Sequence, residues 1–147
     1  MLDEKRILSK IDELDSYLKE LEEIMPKNYE EYANSIEKKR ACERLLHISV
    51  ESLIDICTLL VKGLKLGLPS SEEDLFDKLG KKKITTKEML KKLKTMRGFR
   101  NILVHIYGEV DDEIVFQTLG RMEDFHQFKN EVTSFLMKTT KQGRPAL

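Results

Sequence analysis

LLHISVESLIDICTLLVKGL, residues 45–64, carries Leu46, Val50, Leu53, Cys57, Leu60 and Leu64 at three- and four-residue steps, with Leu45, Ile48, Ile56 and Leu59 widening the stripe. That spacing is one face of an α-helix, and a helix apolar over so much of its circumference belongs at the centre of a bundle. His47, Glu51 and Asp55 interrupt the run four residues apart and therefore share one line on the helix. They read either as an interhelical ion pair or exposed stripe, or as partners of an arginine, Arg100 or Arg97, from elsewhere in the chain. The helix is expected from about Tyr29 to Leu64, ended by Gly63, Gly67 and Pro69.

Outward from this helix the same periodicity recurs. Ile7, Ile11, Leu14, Leu18 and Leu21 line a first helix from about Asp3 to Met25, stopped by Pro26. Downstream, Ser70 or Ser71 caps a short helix over Ser71 to Leu79, and Gly80 with Lys81, Lys82 and Lys83 forms the next turn. Thr85 followed three residues later by Glu88 has the form of a capping box that opens a fourth helix, reaching about Ile106 and yielding at Gly108. Asp111 or Asp112 caps a fifth helix to about Lys138, with Val115, Leu119, Met122, Phe125, Phe128, Val132, Phe135 and Leu136 toward the core. Residues 141–147 read as a frayed tail. No repeat, low-complexity segment or linker interrupts the pattern. One all-α domain over residues 1–147 is expected, an antiparallel bundle of about five helices.

Composition narrows the function classes. The 147 residues are 40% hydrophobic and 35% charged with no Trp, the mixture of a helical bundle with a real core. The 26 bases and 26 acids cancel, so net charge says nothing of partners. No apolar run approaches the ~20 residues of a membrane span, and the charged start MLDEKRILSK is unlike a secretory signal. Cys42 and Cys57 share one helix at a separation of about 22 Å, beyond disulfide reach. Free thiols fit a reducing compartment, so a cytoplasmic protein with no membrane contact is expected. CxxC, HExxH, acidic ligand clusters and phosphate-cradling glycine loops are all missing from the sequence, as is the Gly-Ser and paired-Asp pattern of a nucleotidyltransferase. Neither a metal nor a cofactor is expected.

Charge distribution is more telling. From Lys81 to Arg100 there are nine bases against one acid, Glu88, whereas residues 1–31 hold ten acids and five bases. A run of this kind attracts polyphosphates and nucleic acid, which makes Lys87, Lys91, Lys94 and Arg97 candidate nucleic-acid contacts, although a solvated lysine face has the same composition. The run leads into MRGFRNILVHIYG, residues 96–108. On a helical wheel Met89, Leu93, Met96, Phe99, Leu103 and Ile106 make the core face, Asn101 and His105 project together from nearly the opposite side, and Arg100 and Tyr107 share a line at the flank. Arg100 and His105 stand about 140° apart around the helix, and two such helices meeting at a two-fold axis would bring their Arg and His groups to one cleft. Taken alone, the pair also suits a surface ion pair. His126, within EDFHQF, reads as a packing or surface residue.

The stretch from about Glu43 to Met137 resembles the HepT-like subgroup of the HEPN (higher eukaryote and prokaryote nucleotide-binding) superfamily. The likeness rests on LIDI around Asp55, the Leu68-Pro69 turn before a short helix, and GFRNILVHIYG, which fits the subgroup's Arg-x4-His-x-Tyr pattern with Asn after the Arg. Ile106 departs from the small or polar residue of many relatives. The resemblance implies a five-helix bundle, a homodimer, and a ribonuclease site built from paired Arg100 and His105. It also implies a toxin encoded beside a minimal nucleotidyltransferase, which silences it by attaching AMP to Tyr107.

The chemistry suits these residue types. His105 has an ordinary pKa of about 6.5, suited to proton transfer near neutrality. Arg100 offers forked donors that match phosphate oxygens, and Asn101 is placed to bond substrate or orient the ring. An RNA 2′-hydroxyl attacking the adjacent phosphorus would leave a 2′,3′-cyclic phosphate without a metal. The alternative is a non-catalytic nucleotide- or RNA-binding subunit of a two-component nucleotidyltransferase.

Overall fold

A computed structural model describes residues 2–105 and 110–143, with the side chains of His105 and of residues 140–143 set aside. Among the described residues there are seven helices and no strand: α1 (Glu4–Ile24), α2 (Tyr29–Ala33), α3 (Ile36–Gly63), α4 (Glu72–Lys81), α5 (Lys87–His105), α6 (Asp112–Leu119) and α7 (Met122–Gly143). Ile106, Tyr107 and Gly108, with residues 144–147, lie outside the described set.

Two of the five expected helices are each divided. The first break falls at Asn34 and Ser35, where the Ser35 hydroxyl accepts the Lys38 N–H at 3.1 Å and restarts the helix. Asn and Ser side chains compete with helical bonding in this way, and hydrophobic periodicity alone does not register it. The kink folds Tyr32 completely into the core. Its ring lies 6.2 Å from that of Phe116 on α6, while Tyr29 meets the same ring edge-on at 5.6 Å. The second break is at Gly120 and Arg121, where the Gly120 N–H bonds back to Phe116 and Gln117 and closes α6.

The expected cap of the fourth helix is also corrected. Thr85 is drawn into the core beside Ile84, and the cap passes to Thr86, whose hydroxyl accepts the Met89 N–H at 3.0 Å. The Thr86 N–H is taken not by Glu88 but by Glu131 of α7, at 2.8 Å. A carboxylate from another helix thus performs what the local capping box would have done.

α3 is the hub. It packs most extensively along α1 and also touches α2, α4, α5 and α6, while α5 lies against α3, α4 and α7. Ile7, Ile11, Leu14, Leu18 and Leu21 of α1 are all buried against it, as are Leu46, Val50, Leu53, Ile56, Cys57 and Leu60 of α3 itself. Met89, Leu93, Met96 and Phe99 bury the inner face of α5, and Val115, Leu119, Phe125, Phe128, Val132 and Leu136 close the core from α6 and α7. Cys42 and Cys57 are buried free thiols, and burial pushes both above the ordinary thiol range.

Candidate active site

The connection from α3 to α4 sets up the site. Leu64 caps α3, then Lys65 at φ 54° and Gly67 at φ 100° turn the chain back toward the bundle. Ser71 caps α4, accepting the Asp74 N–H at 3.0 Å, while the Asp74 carboxylate accepts the Ser70 N–H at 2.9 Å. Glu72, Glu73 and Asp74 follow in the first turn, where the positive end of the helix dipole favours acids. Because α4 packs against α5, this acidic turn meets the last two turns of α5.

Arg100 sits at that junction. Its side chain is only 11% exposed and is held from three sides. Nη1 donates to Glu51 Oε1 of α3 at 2.6 Å, Nη2 donates to Glu72 Oε1 of α4, and Nε donates to Asn101 Oδ1 at 3.0 Å. Glu72 Oε1 also accepts from Arg97 Nε at 2.9 Å, and Arg97 Nη1 lies 3.5 Å from Glu73. Burial opposes the charge on Arg100, yet the bond to Glu51 and the fields of Glu72 and Glu51 more than offset it and raise its pKa above the ordinary arginine value. A guanidinium has five N–H donors, and three of these are engaged among the described residues.

The other candidates distribute as follows. Glu51 reaches Arg100, but Asp55, one turn further on, pairs with Lys10 of α1 at 3.4 Å. Asn101 turns its oxygen toward Arg100. His105 is the last residue of α5; its side chain and Tyr107 lie outside the described residues. Lys94 pairs with Asp77 at 3.0 Å and Lys92 with Asp124 at 3.3 Å. Lys87 and Lys91 are exposed and make no ion pair with a described carboxylate. Lys83 and Lys87 line a cleft of about 530 Å³ at the start of α5, walled on the α7 side by Gln127, Asn130 and Glu131. Among the described residues no three His, Cys, Asp or Glu side chains gather to ligate a metal ion. His126 lies 3.5 Å from Glu22 of α1.

A family model described as Ribonuclease HepT-like matches residues 14–132. The chain belongs to the HepT-like ribonuclease family. It is 28% identical over 138 residues to the tRNA nuclease HepT of Aphanizomenon flos-aquae, covering 93% of this chain and 94% of that protein. The mRNA nuclease HepT of Shewanella oneidensis is 38% identical over 79 residues, or 53% of this chain and 59% of that one. Among solved structures, the tri-AMPylated HEPN toxin of Shewanella oneidensis in complex with MNT antitoxin superposes with a TM-score of 0.81 at 27% identity, over 91% of this chain and 99% of the toxin. The cytosolic protein YutE of Bacillus subtilis shares the fold, with a TM-score of 0.81 at 20% identity over 99% and 96% of the two chains.

In this HepT-like chain the site group that sequence reasoning missed is Glu72. It lies 28 residues from Arg100 and was legible only as a dipole-favouring acid in a first turn. The matched segment contains the whole junction, with Glu51, Glu72, Arg97 and Arg100, together with His105 and Tyr107.

Proposed function

We propose that this chain is an endoribonuclease that acts as the toxin of a toxin–antitoxin pair and cuts RNA through the 2′-hydroxyl, with Arg100 and His105 as its catalytic residues. The seating of Arg100 carries this reading. A part-buried, permanently charged guanidinium is anchored by two helices five residues before His105, inside the segment matched to a ribonuclease family. Anchoring costs little at the moment of reaction when the donors are already aimed. His105 takes the proton of the 2′-hydroxyl as its oxygen bonds to phosphorus, and the bond from phosphorus to the 5′-oxygen breaks. The leaving oxygen takes a proton from water, whose hydroxide then takes the proton held on His105. Arg100 offers its unengaged N–H donors to the phosphate oxygens as charge builds on them. The products are a 2′,3′-cyclic phosphate and a 5′-hydroxyl end. No step calls for a metal, and chelator is expected to leave cleavage intact.

A homodimer and a minimal nucleotidyltransferase antitoxin complete the proposal. A second copy belongs to the proposal because two such helices meeting at a two-fold axis would bring their Arg and His groups to one cleft. The relatives named as nucleases and the AMPylated toxin bound to MNT antitoxin support silencing at Tyr107. AMP on Tyr107, seven residues from Arg100, would add negative charge on the helical line of that cation and compete with RNA phosphate for it.

Incubating the pure protein with RNA and chelator tests the enzyme. Cleavage with cyclic-phosphate ends, lost in His105→Ala, is the expected result. Binding without cleavage favours the non-catalytic RNA-binding subunit instead, and 5′-phosphate ends overturn the mechanism. Tyr107→Phe is expected to cut RNA but to escape silencing by the nucleotidyltransferase.

A further inference from the structure

A second basic group lies on α3, one step removed from Arg100. A cleft of about 190 Å³ between α3 and α5 is lined by Arg40, Glu43, Arg44, His47 and Leu103. Leu103 stands two residues before His105, so this cleft opens at the same end of α5 as the Arg-x4-His pair. The arginines in it differ. Arg40 is engaged by the Glu43 carboxylate at 2.9 Å, whereas the contact of exposed Arg44 is an imidazole, with Nη1 3.4 Å from His47 Nδ1. On its other side His47 Nε2 lies 3.4 Å from Glu51 Oε1, the oxygen that accepts Arg100 Nη1 at 2.6 Å. A chain of contacts therefore runs Arg44, His47, Glu51, Arg100.

Its two ends are electrostatically unequal. Arg100 has two carboxylates upon it, while Arg44 meets an imidazole nitrogen, with no described carboxylate in ion-pairing reach. An exposed guanidinium over a small cleft, with no carboxylate neutralising it, is matched by an anion. The cleft has room for a phosphate and a few waters, since one water takes about 30 Å³. Arg44 lies seven residues before Glu51, about 10 Å along α3, which is roughly three nucleotides at the ~3.4 Å rise of a stacked strand.

We infer that Arg44, positioned by His47, forms a subsite for a backbone phosphate of the RNA, flanking the phosphate that Arg100 engages. Arg44 supplies the forked donors, while His47, set between Arg44 and Glu51, positions it, so the subsite holds the strand without reading its bases. The inference rests on the ribonuclease reading for its ligand, and it makes Arg44 a binding residue and His47 the residue that positions it, neither taking part in bond breaking.

The test uses the full chain carrying His105→Ala, which binds RNA without cutting it, and a fluorescent single-stranded oligoribonucleotide titrated across a salt series. Adding Arg44→Ala is expected to weaken binding about tenfold at low salt and to flatten the plot of log affinity against log salt by about 0.7. Arg44→Lys restores most of the slope, because it keeps the charge, but not all of the affinity, because it lacks the fork. His47→Gln is expected to give a smaller loss in the same direction. With His105 intact, Arg44→Ala raises KM while kcat stays within about twofold. An unaltered affinity and salt slope overturns the subsite, whether or not the parent protein cuts RNA. A change of oligomeric state by sedimentation with RNA affinity unchanged also overturns it and marks this face as a protein interface. Absence of cleavage by the parent protein, with the Arg44 slope effect present, instead defeats the ribonuclease reading and leaves the phosphate subsite standing.

Discussion

The two halves of the basic run on and before α5 both consist of cationic residues and end in opposite electrostatic states. Lys92, Lys94, Arg97 and Arg100 each pair with a carboxylate from a neighbouring helix: Asp124, Asp77, Glu72 with Glu73, and Glu51 with Glu72. Lys81, Lys82, Lys83, Lys87 and Lys91 are exposed and make no ion pair with a described carboxylate. The acids of α4 and Asp124 of α7 reach the second half, whereas Glu131 of α7, which lies at the first half, caps Thr86 and pairs with no lysine there. The excess of eight positive charges counted along Lys81 to Arg100 is therefore not the field at the motif. Paired cations are held in place, which serves geometry. Unpaired ones project a field into solvent, which serves attraction at a distance.

This contrast can be broken at several points. The largest effect is expected in the paired half: Arg100→Ala should lower kcat for RNA cleavage about 10²–10³-fold, the cost of losing a positioned donor to a developing oxyanion. Arg100→Lys should fail to restore it, since an ammonium cannot span Glu51, Glu72 and phosphate together; full activity in that variant would mean that charge, not geometry, matters here. Next, Glu72→Gln takes the shared acceptor from Arg97 and Arg100. A stability loss of about 1 kcal/mol is expected, tempered because Glu72 is about one-third exposed, seen as a Tm drop of about 2–4 °C together with lower kcat.

The unpaired half should respond differently. Lys87→Ala combined with Lys91→Ala should leave stability within about 0.5 kcal/mol but flatten the salt dependence of RNA binding by about 1.4, or 0.7 for each charge. A loss of Tm as large as that of Glu72→Gln would erase the distinction. The smallest effect concerns acid. The Ser70 N–H holds the Asp74 carboxyl below its ordinary pKa, so the unfolded chain binds that proton more readily than the folded one. The resulting stability is present above about pH 4 and is lost as pH falls through the lowered folded value. Asp74→Asn should flatten that acid limb in thermal melts, loosening the turn that presents Glu72.

Much of this was open to reading from residue order. The apolar faces of α1, α3, α5 and α7 follow from three- and four-residue spacing, and the core residues expected on α1 are all buried. Arg100, Asn101 and Glu51 were singled out on spacing, and Arg100 does gather both others. Asp55, on the same line as Glu51 but one turn further along α3, meets Lys10 instead, a partner supplied by the packing of α1 on α3. The cap at Thr86 was missed because the deciding acceptor, Glu131, is 45 residues away. Glu72 was missed for the same kind of reason.

Local order along the chain determined the helical class, the faces that bury and the placing of Arg100 five residues ahead of His105, since these depend only on side-chain polarity and a fixed rise and turn per residue. Which cations are neutralised, which threonine caps α5 and which acid grips Arg100 were decided by tertiary packing. Such pairings fall off steeply with distance, and a separation of a few ångström between groups far apart in the chain exists only after the helices have docked.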